Sequence, residues 1–224
     1  MEDEVNRMLD RFLRAFELTA GTGGHAPQAE ERHPAADRLL SEFGGSTFDG
    51  GLYRIHTWRS RAEADVFAAH AFPEFGELSC FGFDWLGRQF SLDLRVQGTE
   101  DPSVLMLEPG TGQVLEIPVP FSEFHDGELV EYADEALAKS FHEQWRATDA
   151  APLGFGECVG YDVPLFLGGE DGLANLGRCD IARYWHLAGE LRRGTAKLAP
   201  GTKIGDIAIG DAADAVPAWC AGRG

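Results

Sequence analysis

Between residues 79 and 119 the chain alternates apolar and polar side chains around short glycine turns, and few backbones other than an antiparallel sheet satisfy that pattern. Residues 79–85 (SCFGFDW) and 89–96 (QFSLDLRV) are strand-like and meet at the tight turn Leu86-Gly87-Arg88. In the second segment Phe90, Leu92 and Leu94 point one way, and Ser91, Asp93 and Arg95 point the other. Residues 103–108 (SVLMLE) and 113–119 (QVLEIPV) flank Pro109-Gly110-Thr111-Gly112, a hairpin signature with glycine where a positive φ is needed. An alternating run at 51–58 (GLYRIHTW) adds another strand.

Helical spacing surrounds this block. Val5, Met8, Leu9, Phe12, Leu13 and Phe16 form one stripe. Residues 19–34 are rich in glycine, proline and polar residues and read as an exposed loop. Leu39, Leu40 and Phe43 mark a short amphipathic piece, and residues 61–71 an Ala-rich helix closed by Pro73. Across 126–147, Leu129, Ala133, Leu137, Phe141 and Trp145 lie four residues apart, which predicts one long helix. Its other face carries Glu128, Glu131, Asp134 and Glu135, and Asp126 suits its N-cap. Residues 150–170 are turn-rich and then apolar. Residues 179–193 are helical again, with Ile181, Tyr184, Trp185, Ala188 and Leu191 on one face.

The expected fold is α+β, a central antiparallel sheet of about four to six strands flanked by N-terminal, middle and C-terminal helices. The expected organisation is an N-terminal helical segment (1–48), a β-rich body with the long acidic helix (49–150), a C-terminal helical segment (151–210) and a loosely held tail (211–224).

Charge narrows the function. The 224 residues carry 19 basic and 37 acidic side chains, a formal net charge of −18. Such a surface repels phosphate backbones and anionic membranes and favours a basic partner. Cys80, Cys158, Cys179 and Cys220 form no CxxC pair, and the first three sit in or near apolar stretches. They read as reduced, partly buried thiols of a cytosolic protein, Cys80 and Cys158 as inert core cysteines. The acidic start MEDEVNRMLD is no signal peptide, and no apolar run is long enough to span a bilayer.

Catalytic motifs are missing. His142-Glu143-Gln144-Trp145-Arg146 lacks the second histidine of a zinc-protease helix, Gly21-Thr22-Gly23-Gly24 does not continue into a phosphate-binding loop, and no GxSxG elbow occurs. A small metal-dependent hydrolase would have to be assembled from His56, Asp84, His125 and Glu170. No metal or cofactor is expected.

Three segments carry a family resemblance: FGFDWLGRQFSLD at 81–93, MLEPGTGQVLEIPVPFSEF at 106–124 and ECVGYDVPLFLGGEDGLANL at 157–176, followed by the aromatic helix at 180–191. Together, over about residues 50–195, they resemble bacterial proteins that join a GAD-like segment to a C-terminal domain found in immunity proteins against type VI secretion DNase effectors. The resemblance implies a non-catalytic, cytoplasmic antidote, monomeric or weakly dimeric, that binds a cognate basic nuclease and not the nucleic acid itself. An adaptor of the SMI1/KNR4-like group is the alternative, because Pro120-Phe121-Ser122-Glu123-Phe124 fits either pattern. Candidate contacts are Asp84, Trp85 and Arg88 on a strand turn, Glu128, Glu131, Asp134 and Glu135 on the acidic face, and Glu170 and Asp171 in a loop.

Overall fold

The computed structural model describes residues 9–21, 33–96, 98–199 and 201–202. Val5, Met8, Cys220, the tail from 211 and most of the 19–34 stretch lie outside these residues. The fold is α+β. Its main sheet has seven strands, all antiparallel, in chain order: β1 (Leu18–Ala20), β2 (Thr47–Phe48), β3 (Tyr53–Ile55), β4 (Leu78–Asp84), β5 (Gln89–Asp93), β6 (Ser103–Glu108) and β7 (Gln113–Pro120). The sheet exceeds the expected strand number because β1 and β2 are only three and two residues long. β1 runs from Leu18 into the stretch read as loop from composition, at Thr19 and Ala20: Leu18 and Ala20 pair with Phe48 and Thr47.

The predicted alternation sorts side chains onto two faces. Phe90, Leu92, Val104 and Met106 join one core with Leu9, Phe12, Leu39, Leu40, Leu129 and Leu137. Leu105, Leu107, Leu78 and Cys80 join a second core with Phe67, Ala68, Phe72 and Trp185. β6 is therefore covered on both sides. Burial of such side chains contributes about 1.5–3 kcal/mol each.

α1 (Phe12–Ala15) and α2 (Pro34–Phe43) cover the first face, and α3 (Trp58–Ala71) covers the second. α3 starts three residues earlier than the Ala-rich pattern predicts. Thr57 and Ser60 form a capping box, each side chain accepting from the other's backbone N–H. Arg61 of α3 pairs with Asp37 of α2 at 2.7 Å, both nearly buried.

The long helix expected over 126–147 is broken. α4 (Phe121–Glu123), a π-turn at Phe124–Glu128, α5 (Leu129–Glu131), α6 (Ala133–Leu137) and α7 (Lys139–Arg146) follow one another. Ala138 lies in the left-handed region at φ 50° and separates α6 from α7. The apolar spacing survives because each piece still turns Leu129, Leu137 and Trp145 inward. Asp126 is not an N-cap of its own helix: its carboxylate accepts from the backbone N–H of Arg11 and Phe12, at the start of α1.

The C-terminal segment is not purely helical. β8 (Glu157–Tyr161) and β9 (Leu176–Asp180) form a second, two-stranded antiparallel sheet. α8 (Ile181–Thr195) follows at once, capped by the Asp180 carboxylate accepting from Arg183 N–H, and packs on α3.

Candidate functional site

The β4–β5 turn is the hub of the molecule. Gly87 adopts φ 75°, which closes the turn without strain. Asp84 is fully buried and accepts from Leu86 N–H, Arg88 N–H and, at 2.6 Å, Arg88 Nε. Arg88 also reaches Glu108 of β6 at 3.2 Å and the Ala136 carbonyl of α6. Burial pushes the Asp84 carboxyl above its ordinary value, and the Arg88 guanidinium pulls it part of the way back. Trp85 donates to the Leu137 carbonyl and packs against Phe141, His142 and Trp145. Trp85 and Arg88 thus take two carbonyls at the C-terminal end of α6, just before the left-handed residue that breaks the helix. The C-terminal segment docks on the same turn: Val159 N–H donates to the Trp85 carbonyl and Trp185 Nε1 to that of Gly87. Asp84, Trp85 and Arg88 are 0%, 0% and 8% exposed. As partner contacts they are corrected: a turn so enclosed offers no surface, and its charges are consumed internally.

Arg54, which sequence reasoning passed over, does the same for the segment entering β8. Fully buried, it donates to the carbonyls of Gly51, Asp84, Gly154, Phe155 and Glu157 and lies over the Phe83 ring, 4.5 Å from its centre. Burial lowers it to about 10. Its acceptors lie as far as 103 positions along the chain, so nothing near Arg54 in the sequence signals them. Replacing Arg54 by Met removes this shared donor: the Asp84 and Gly154 carbonyls keep the N–H groups of Gly87 and Glu157, while all five lose the guanidinium. The expected cost is about 2–4 kcal/mol, read from urea unfolding, with faster hydrogen exchange confined first to residues 150–160. A loss below about 0.5 kcal/mol would contradict the anchoring role.

The residues that a hydrolase would need fall into separate networks. His56 lies between Ser60 Oγ and Gln89 Oε1 at 2.9 and 2.7 Å, stacked on Phe83. Asp84 belongs to the hub. His125 Nε2 is 2.9 Å from the Tyr53 hydroxyl inside a ring of Phe12, Phe81, Phe121 and Phe124. Burial lowers His56 to about 4 and His125 to about 3, so both rings are neutral. Glu170 is exposed in the β8–β9 connection. Among the described residues no group of three or more His, Cys, Asp or Glu side chains is placed to hold a metal ion, and no helix is long and apolar enough to cross a membrane. A cleft of about 650 Å³ is lined by Arg14, Lys139, Arg146, Glu17, Asp49 and Glu143. Its charges are mixed in sign, so it carries no strong field for one kind of ion.

The acidic face is different. Glu131, Asp134 and Glu135 are exposed and Glu128 is half-buried, around Tyr132, which is 51% exposed. Burial raises the Glu128 carboxyl, and the charges of Glu135 and Glu131 raise it further, so the three act on one patch. Arg11 offsets part of it through a 3.0 Å pair with Glu131. Asp134 accepts from Ser140 N–H at 2.7 Å and holds the break between α6 and α7 in place. Asp171 is also exposed, accepting from the Tyr161 hydroxyl at 2.7 Å, and Asn175 ties that loop down through both backbone groups of Val163 and the Glu170 carbonyl.

No protein-family model matches the chain, and no curated protein does. The fold is similar to the crystal structure of Atu4351 from Agrobacterium tumefaciens, with a TM-score of 0.55 over 81% of this chain and 88% of that one. The two sequences are 14% identical, so the likeness is one of fold.

Proposed function

We propose that the chain is a non-catalytic immunity protein of the cytoplasm that binds a cognate basic toxin, a nuclease of the type VI secretion class, and blocks it. The observation that carries this reading is the acidic face at Glu128, Glu131, Asp134 and Glu135 around exposed Tyr132. Carboxylates on a braced backbone present a fixed negative field, and an exposed tyrosine beside them offers apolar area at low entropic cost. The net charge of −18 adds long-range steering toward a cationic surface. A nuclease cleft is basic because it holds DNA, so an anionic protein competes for the same field. Glu170 and Asp171 add two exposed carboxylates on the C-terminal segment.

The test is kinetic. The purified chain is mixed with the product of the neighbouring reading frame, expected to be the cognate nuclease, and association is followed across a salt series. Glu128→Gln, Glu131→Gln, Asp134→Asn and Glu135→Gln together are expected to slow association about tenfold or more at low salt, with the difference shrinking as salt rises. Asn at 134 keeps an acceptor for Ser140 N–H, so the fold is spared. An association rate equal to that of the parent would remove the acidic face from the reading.

A further inference from the structure

Cys158 and Cys179 face each other directly across the β8–β9 pair, their sulfurs 3.6 Å apart and both free. Residues opposed in this way on antiparallel strands have Cα atoms about 4.5–5.5 Å apart. That falls inside the window of about 4.4–6.8 Å that a disulfide spans. The sulfurs need to approach by about 1.5 Å to reach bonding distance, a change that side-chain rotation and a small strand adjustment supply. Nothing in their spacing along the chain reveals the pair; only the register of β8 against β9 does.

The two thiols are unlike. Cys158 is fully buried against the β4–β5 turn, where a Cβ on Gly87 would lie 3.1 Å from its sulfur. Cys179 is half-buried. Hydrogen bonds from the Cys158 thiol and the Gly160 N–H hold Cys179 below its ordinary value, and burial pushes Cys158 well above its own. Cys179 is thus the less enclosed of the two and disposed to ionise, and Cys158 lies beside it. Cys80 is a third, fully buried thiol that accessibility leaves out.

We propose that Cys158 and Cys179 form an oxidisable dithiol that takes a hydroperoxide as its oxidant. The Cys179 thiolate attacks the outer peroxide oxygen, the O–O bond breaks, and the departing alkoxide or hydroxide takes a proton and leaves as alcohol or water. Cys179 is then a sulfenic acid. Cys158 gives up its proton, its sulfur attacks Cys179 Sγ, the S–O bond breaks, and the departing hydroxide takes that proton and leaves as water. Two thiols are oxidised to one disulfide and one peroxide is reduced. The product closes a ring from 158 to 179 that contains the loop bearing Glu170 and Asp171.

The full chain, first reduced, is treated with hydrogen peroxide and mapped by mass spectrometry. The expected product is a Cys158–Cys179 cross-linked peptide lighter by about two mass units, restored by dithiothreitol, with Cys80 still reduced. Cys179 should react at least about tenfold faster than Cys80, and hydrogen exchange across β8 and β9 should slow about tenfold in the oxidised chain. Cys158→Ser should let Cys179 proceed to the sulfinic acid, and Cys179→Ser should abolish the fast phase. The proposal is overturned if both thiols remain titratable in excess peroxide, or if Cys179 of the unaltered chain reaches the sulfinic acid with Cys158 still free beside it. The mapping of the unaltered chain decides the matter even if a variant fails to fold.

Discussion

Replacing Asp84 by Ala should cost about 3–5 kcal/mol of folding stability, the range seen when one partner of a buried ion pair is removed. Three losses coincide. The Arg88 guanidinium stays buried with only Glu108 to balance it. The backbone N–H groups of Leu86 and Arg88 lose their acceptor and stay inside the protein. The turn then holds less firmly the groups docked on it, α6 through Ala136 and Leu137 and the C-terminal segment through Val159 and Trp185. Asp84→Asn separates these effects, since an amide oxygen still accepts from the turn N–H groups while the charge is gone. Its cost should fall between zero and that of alanine. Equilibrium urea unfolding checks both variants. An alanine variant within about 1 kcal/mol of the parent would show that the turn is held by its neighbours and not by this carboxylate.

Asp84 also shows where sequence reading stops. The strands around it are legible because alternation is local: Phe90 and Leu92 against Ser91 and Asp93 fix a face, and the Gly87 turn fixes the pairing. The roles of Asp84, Trp85 and Arg88 are not local. Charge, aromatic and turn together are as compatible with a rim that greets a partner as with a hub, and only the docking of α6, β8 and α8 decides between them. The broken middle helix fails for a related reason. Spacing of four reports which side chains turn inward, and it persists through the π-turn and Ala138 because each piece packs on the same core. At Ala138 the carbonyls of Ala136 and Leu137 are taken instead by a pair of donors from a turn some fifty positions earlier. β8 and β9 escape notice because each is five residues long, contains glycine, and meets its partner only across the 162–175 connection. The carboxylates of the acidic face are legible, since a polar stripe opposite an apolar one stays on the surface whether or not the helix is continuous.

The same burial that silences the histidines as catalysts should make the protein acid-labile. His56 and His142 are lowered to about 4 and His125 to about 3, chiefly by burial, against an ordinary value of 6.5. Neighbouring cations deepen two of them: Arg54 and Arg61 act on His56, and Arg146, Arg54 and Lys139 act on His142. In the unfolded chain each ring takes a proton near pH 6.5, and in the folded chain it does not until about pH 4 or below. The unfolded state therefore binds more protons through this interval, and stability falls as pH falls. It is whole above about pH 7 and decreases from about 6.5 toward 4. At one proton per ring the slope near pH 5 is about 4 kcal/mol per pH unit, and the loss between pH 7 and 5 is about 5 kcal/mol. Asp84 and Glu128, whose carboxyls are raised, act in the opposite sense. The measurement is the free energy of urea unfolding at intervals from pH 7.5 to about 5. His125→Phe isolates one contribution: its ring sits among aromatic neighbours that accept a phenyl group, and it should flatten the slope by about 1.4 kcal/mol per pH unit even while the unpaired Tyr53 hydroxyl lowers the whole curve. A slope unchanged by that substitution would mean that the His125 ring takes a proton inside the fold.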